Sequence, residues 1–233
     1  MSDSVEKLSR SIERPVQTYD VLAANRDKLF NEQWLAAFLR THCKCKTLGK
    51  GWRGSRLRII QYPLELARWL ILLAQHQVKS YVEIGTSTGG SFLMVDSYLR
   101  AAVPGYVRSV GYDRKNKLRD WNEYRSRFPS AEFRCQGSSE MDISGEQFDA
   151  AFVDARHIER WVLQDHDKVL AARPRLIGFH DILLARSTVC VAWEKIKKRH
   201  PASWEFVDQA IPEQLRWGIG VVKVDANAKL IIK

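Results

Sequence analysis

The sequence is poor in cysteine: Cys43, Cys45, Cys135 and Cys190 are four thiols in 233 residues, too few and too scattered for a disulfide framework. Free thiols and a reducing compartment are expected. Long apolar runs are missing too. The longest stretch, Leu64 to Ala74, is broken by Glu65 and Arg68 and falls short of a bilayer crossing. The first residues, among them Ser2, Asp3, Glu6, Lys7 and Arg10, lack the apolar heart of a signal peptide. These absences point to a soluble, cytoplasmic protein with no membrane partner. The Gly-x-Gly-x-x-Gly fingerprint of dinucleotide sites is also absent, because Thr86 and Ser87 follow Gly85, which counts against a nicotinamide or flavin cofactor. No internal repeat or low-complexity segment is visible.

What is present suits a globular chain. With 45% hydrophobic and 27% charged residues it can bury a sizeable core as one large domain with a helical appendage. The net charge of +10 admits an anionic partner such as nucleic acid, an acidic substrate or a membrane surface. The cations are dispersed, however, over Lys44 to Arg58, Arg114 to Arg119, Arg125 and Arg127, Arg173 and Arg175, and Lys195 to Arg199, which reads first as solvated faces.

Residues 1 to 78 lack strand alternation and read as helical. Phe30, Trp34 and Phe38, spaced by four, form a broad stripe with Leu35 and Leu39. Cys43 to Arg58 is a basic loop carrying Gly49, Gly51, Gly54 and Trp52, a surface loop or a cover over a site. Its His42-Cys43-Lys44-Cys45 run lacks the second half that a zinc site needs. Pro63 is placed to open a helix. From residue 80 short apolar runs alternate with helical stretches: strands at Tyr81–Ile84, Val107–Tyr112, Ala131–Cys135, Phe148–Val153 and Leu176–Phe179, and helices at Ser91–Ala101, Asn116–Arg127, Ile158–Ala171 and Thr188–Arg199. Trp204–Asp208 and Gly218–Val224, joined by a short connection containing Pro212, read as a terminal hairpin. The expected architecture is an α/β doubly wound, mostly parallel seven-stranded sheet. Residues 1–59 form an N-terminal helical extension with a basic loop, and residues 60–233 a ligand-binding domain.

The most informative stretch is Ser80 to Gly90, where a β-rich run breaks into a turn studded with Gly85, Gly89 and Gly90 just before a helix. The later strand ends are polar as well: Asp113, then Ser138 and Ser139, then Asp154 and His157, then His180 and Asp181. In a doubly wound sheet these ends open onto one crevice. In this order the motifs resemble class I S-adenosylmethionine-dependent methyltransferases, and among them the small-molecule O-methyltransferases with an Asp-Gly-Asp-His motif on the fourth strand and a later Asp. Here that motif reads Asp154-Ala-Arg156-His157 with Asp165 following, and the fifth strand ends in His180-Asp181. The resemblance covers roughly residues 60 to 224.

The resemblance implies a Rossmann-like methyltransferase fold, S-adenosyl-L-methionine as cofactor, and methyl transfer to a hydroxyl of a small molecule such as a sugar or secondary metabolite. Asp113, at the tip of the second strand, would accept hydrogen bonds from ribose hydroxyls. Glu83 and the loop of Gly85, Thr86, Gly89 and Gly90 would flank the methionine moiety, with Ser138 and Ser139 beside the adenine and Asp154 at the reacting end. His157 and His180 are candidate general bases, with Asp154 beside them, and Asp154 with Asp181 could hold a divalent metal such as Mg²⁺. Each histidine also has a plain structural reading, and His180 stands where metal-dependent relatives place an acidic ligand, which shifts preference toward transition metals or no metal. Arg156 stands where relatives place a carboxylate, so it reads either as a recognition group for an anionic acceptor or as a mark of lost chemistry. Two rivals remain open at this point: an RNA methyltransferase, suggested by the basic charge, and a noncatalytic interaction protein that keeps the fold. A homo-oligomer is admitted.

Overall fold

A computed structural model describes residues 17–43, 45, 57–118 and 121–225. The Trp52 loop and the first sixteen positions lie outside the described residues. Seven strands form one sheet: β1 (Ser80–Ile84), β2 (Arg108–Tyr112), β3 (Ala131–Arg134), β4 (Ala150–Val153), β5 (Leu176–His180), β6 (Ala202–Phe206) and β7 (Ile219–Lys223). Their order is β3-β2-β1-β4-β5-β7-β6. The first five are parallel, while β7 runs antiparallel to β5 and β6. The expected mostly parallel, doubly wound seven-stranded sheet is the one found.

Strand composition explains the layering. β4 and β5 are buried along their whole length, as a parallel strand covered on both faces must be. In β1, Tyr81 and Val82 belong to different apolar clusters because successive side chains leave opposite faces of the sheet. The Tyr81 face is covered by α1 (residues 17–24), α2 (Glu32–Thr41), α3 (Pro63–Gln75) and α4 (Gly90–Ala102), with Trp69 of α3 packed 5.7 Å from Phe152. The Val82 face is covered by α6 (Glu159–Leu170) and α7 (Val189–Lys197), whose Val162, Val169, Trp193 and Ile196 are buried. Pro63 occupies the first turn of α3, where its missing N–H is not needed. Leu22 and Leu29 join α2's Leu35 and Leu39 in the same apolar cluster as Trp69, so the N-terminal segment shares the core of the sheet face it covers.

Three expectations change. The N-terminal stripe does not begin at Phe30, which is exposed ahead of the helix; Asn31 caps α2 by accepting from the Trp34 N–H at 2.9 Å. The helix expected over Asn116–Arg127 shrinks to α5 (Trp121–Tyr124). The chain before it is taken up by a turn, in which the Lys115 N–H donates to Asp113, and by Leu118, which is buried against Gly89. The connection of the terminal hairpin is not short: residues 207–218 include a 3-10 turn at Glu213–Leu215 and send the carbonyl of Leu215 back to the Tyr62 hydroxyl at 2.8 Å. No disulfide joins the described cysteines. Among the described residues no helix is long and apolar enough to cross a membrane.

Candidate active site

The sheet order reverses between β1 and β4, and the carboxyl ends of the strands there frame a crevice. The loop from β1 to α4 supplies one wall. Gly85 and Gly89 have φ values of +94° and +83°, a region that side chains other than glycine's disfavour, and Gly89 caps α4. The N–H groups of Gly85 and Thr86 donate to the Tyr112 carbonyl at 2.7 and 3.2 Å, which pins the loop to the end of β2. Gly90 opens α4 against the Arg58 backbone, and the Arg58 N–H donates to Thr88 Oγ1 at 2.9 Å.

Asp113 completes this wall. Its carboxylate accepts from the Ser87 N–H at 2.8 Å and the Lys115 N–H at 2.9 Å, so one side chain fixes both the glycine loop and its own turn while lining the cleft. The cleft is bounded by Gly85, Asp113 and the following cations, Gln136 to Ser138 after β3, and Ala155 and Arg156 after β4. Of the residues read as cofactor ligands, the structure gathers Gly85, Asp113 and Ser138 here. Glu83 lies beneath the loop, buried, accepting from the Tyr81 hydroxyl at 2.8 Å and the Ser91 hydroxyl at 3.1 Å; burial pushes its carboxyl up to about 8. Thr86 is buried against Gly111, and Ser139 is exposed. Lys168 of α6 donates to the carbonyls of Ser138, Ser139 (2.8 Å) and Met141 (3.4 Å), holding the β3 loop in place.

The second pole of the crevice lies past β4 and β5. His157 Nε2 is 3.5 Å from Asp154 Oδ1 and 3.3 Å from Asp181 Oδ2, and His180 Nδ1 is 3.3 Å from an oxygen of each carboxylate. The site thus holds two imidazoles against two carboxylates. Burial would raise Asp154, but the His180 imidazolium and the hydrogen bond from His157 outweigh it and bring the carboxyl down to about 2. Burial opposes charge on His180, yet Asp154 and Asp181 lift it to about 9, while the hydrogen bond to Asp154 raises His157. Asp181 sits at φ +63°, a backbone conformation of modest cost that turns its carboxylate back toward Asp154. His180 is buried, whereas the His157 side chain keeps 47% of its surface exposed. Asp154, His180 and Asp181 can each aim one donor atom so that all lie within 4.8 Å of one another.

Three contributors lay outside the motifs. Gln61 donates to Asp154 Oδ2 at 3.1 Å, Trp217 stands edge-on to the His180 ring at 5.7 Å, and Lys168 clamps the β3 loop. They come from the approach to α3, the connection before β7 and the last turn of α6, and no local pattern marks them. His42, Cys43 and Cys45 pack elsewhere, His42 against Phe38 and Thr18 and Cys43 against Met94.

A larger cavity of about 460 Å³ lies between the N-terminal helix and the α4–β2 connection, lined by Tyr19, Arg26, Phe30, Arg100 and Tyr106. It sits at the amino ends of the strands and contains none of the motif residues, so it is not the candidate site.

No protein-family model matches the sequence, and no curated protein does. Solved structures do match in fold. An O-methyltransferase of Streptomyces achromogenes involved in tomaymycin synthesis, in complex with S-adenosylmethionine, superposes with a TM-score of 0.51 at 15% identity, covering 84% of this chain and 90% of that one. A Pyrococcus horikoshii protein provisionally described as an RNA methyltransferase gives 0.51 at 13% identity, covering 83% and 98%. A bacterial methyltransferase domain gives 0.50 at 14% identity, covering 68% and 97%.

Proposed function

We propose that this chain, which has the fold of class I S-adenosylmethionine-dependent methyltransferases, transfers a methyl group from that cofactor to a hydroxyl of a small molecule. One observation carries the reading. The glycine loop, Asp113 and Ser138 frame a cleft on one side of the sheet's switch point, and the Asp154, His157, His180 and Asp181 cluster lies at the strand ends on the other. A nucleoside-binding wall and a proton-handling cluster then share one crevice.

The cleft fits the cofactor's nucleoside. Both Asp113 oxygens receive one backbone N–H each and retain acceptor capacity at the cleft they line, as ribose hydroxyls require. When bound, S-adenosylmethionine supplies a methyl already activated on a sulfonium, so the protein chiefly aligns the acceptor oxygen and excludes water. His157 is the better-placed base: its ring is half exposed at the crevice, and Asp154 and Asp181 orient it to take the hydroxyl proton. His180 is sealed inside and serves as the fixed cationic partner of the two carboxylates. The same donors would suit a divalent ion. Asp154, His180 and Asp181 would hold it only with His180 neutral, the ion then replacing the His180 proton as the positive charge beside the carboxylates, and it would supply Lewis-acid lowering of the acceptor hydroxyl's pKa; two oxygens and an imidazole favour manganese or iron over magnesium. In this reading residues 60–233 form the cofactor-binding domain and the N-terminal helices cover it.

The test is calorimetric titration of the purified protein with S-adenosylhomocysteine, repeated with Mn²⁺, with Mg²⁺ and with a chelator, followed by methyl transfer to a panel of hydroxylated acceptors. Saturable cofactor binding with turnover on a hydroxyl acceptor is expected. Cofactor binding with no turnover on any acceptor would leave an interaction protein that keeps the fold, and no cofactor binding would sink the reading altogether.

A further inference from the structure

The cofactor cleft is ringed by cations that the cofactor itself does not call for. Arg114, Lys115 and Lys117 line it from the loop after β2, and Arg156 from the loop after β4. Some basic side chains elsewhere have acidic partners, such as Arg68 with Glu32, Arg108 with Glu146, Arg134 with Glu132 and Glu146, and Arg175 with Asp149, while others stand singly on the surface; what sets the cleft apart is that its cations share one concavity. None of the four cations at the cleft pairs with a carboxylate among the described residues. The cleft's own carboxylate, Asp113, is engaged by backbone N–H groups. Among the described residues that line the cleft, four are cations and one is a carboxylate.

S-adenosylmethionine gives them nothing to neutralise. Its adenine and ribose are uncharged, and its sulfonium and ammonium outnumber its single carboxylate, so it carries a net positive charge. A ring of cations around it would repel the cofactor unless a second, anionic ligand shares the crevice. Arg156 is placed to meet such a ligand. It directly precedes His157 in the chain, and its guanidinium carbon lies 4.1 Å from the Trp161 ring centroid, with Arg160 4.8 Å from the same ring. That cation–π contact gives the guanidinium a fixed neighbour before any ligand arrives.

Resting on the cofactor reading above, we infer that the acceptor is a phosphate ester of a small hydroxylated molecule, its phosphate held by Arg156 together with Arg114, Lys115 and Lys117, and its hydroxyl directed to His157. A phosphate monoester is a dianion with three acceptor oxygens, the chemistry that arginine forks and lysines bind. The cations stand on two lips of one cleft, from β2 and from β4, which encloses a compact anion. A nucleic-acid strand would ask for a row of cations along an open surface.

The experiment titrates the full chain first with S-adenosylhomocysteine, then, once saturated, with glucose 6-phosphate, with glucose, and with short and long single-stranded RNA. The sugar phosphate should bind the saturated protein while glucose does not, and added salt should weaken that binding. The Lys115→Ala/Lys117→Ala double variant, saturated with S-adenosylhomocysteine, should lose about tenfold or more in affinity for the sugar phosphate. The inference is overturned if the saturated protein ignores the sugar phosphate, if the phosphate displaces S-adenosylhomocysteine, or if RNA binds more tightly with increasing length, which would mark a nucleic-acid surface. Those outcomes leave the methyltransferase reading standing. Failure of S-adenosylhomocysteine itself to bind would remove both.

Discussion

Gly85 and Asp154 meet backbone to backbone: a Cβ added at Gly85 would overlap the Asp154 carbonyl group, so the glycine loop after β1 and the carboxyl end of β4 lock into each other through the absence of one side chain. Gly85→Ala would face this overlap and a φ of +94° together. A loss of about 2–4 kcal/mol is expected, with cofactor binding abolished. Chemical denaturation and calorimetry check the two effects; a variant with unchanged stability would mean the loop can move aside.

Asp113 ties Ser87 to Lys115 and lines the cleft. Asp113→Ala should weaken S-adenosylhomocysteine binding roughly 10- to 100-fold, since it removes charged acceptors for both the loop and the ribose. Asp113→Asn, which keeps one acceptor oxygen, should fall between. Titration of the pair of variants is the measurement, and equal affinity in all three proteins would refute the ribose role.

The two histidines should separate by phenotype. His157 is half exposed, so His157→Ala should leave stability within about 1 kcal/mol and lower kcat roughly 10²- to 10⁴-fold. His180→Ala strips the buried cation from Asp154 and Asp181 and should destabilise by about 3–5 kcal/mol. Thermal melts beside turnover rates distinguish them. The reverse pattern would exchange the two roles.

Lys168 donates to three carbonyls of the β3 loop, those of Ser138, Ser139 and Met141. Lys168→Met keeps the aliphatic stem but leaves those carbonyls without it, at a cost of about 1–3 kcal/mol spread over loop order and nucleoside affinity. Hydrogen exchange in residues 136–141, with and without S-adenosylhomocysteine, would show the loosening; unchanged exchange would contradict it.

A pH dependence follows from a site remote from the crevice. His166 is buried with Nε2 at 2.9 Å from His200 Nε2 and Nδ1 on Asp167, and Arg199 lies 3.4 Å from Asp167. Burial, then His166 and Arg199, depress His200 to about 4, below its ordinary 6.5. The folded state therefore refuses a proton that the unfolded chain accepts, so this contribution is fully present above about pH 6.5 and drains away as pH falls toward 4. The buried carboxyls of Glu83 and Glu65, raised to about 8 and about 7, titrate across the same range with the opposite sign and are common to parent and variant, so the comparison isolates His200. Denaturation midpoints of the parent and of His200→Gln between pH 7 and 4.5 should converge in slope only if the assignment is wrong; a shallower slope in the variant is expected.

Periodicity and punctuation determined the architecture before any coordinates. Short buried runs such as Leu176 to Phe179, alternating with amphipathic stretches, specify a parallel sheet covered on both faces, and the glycines after Ile84 mark where the chain must turn beside a ligand. The polar residues at strand tips were legible too, because a doubly wound sheet sends every tip to the same edge. What the sequence withheld was distance. Asn116 to Arg127 has helical composition, yet the turn at Lys115 and the burial of Leu118 under Gly89 interrupt it, a tertiary demand that local propensity does not encode. That His180 is enclosed between two carboxylates while His157 faces the crevice depends on which strands pair, since both are histidines at strand ends when read alone. Gln61, Lys168 and Trp217 enter the site from elements far apart in the chain. Local residue patterns set which elements form; the pairing and packing of those elements decided which side chains meet.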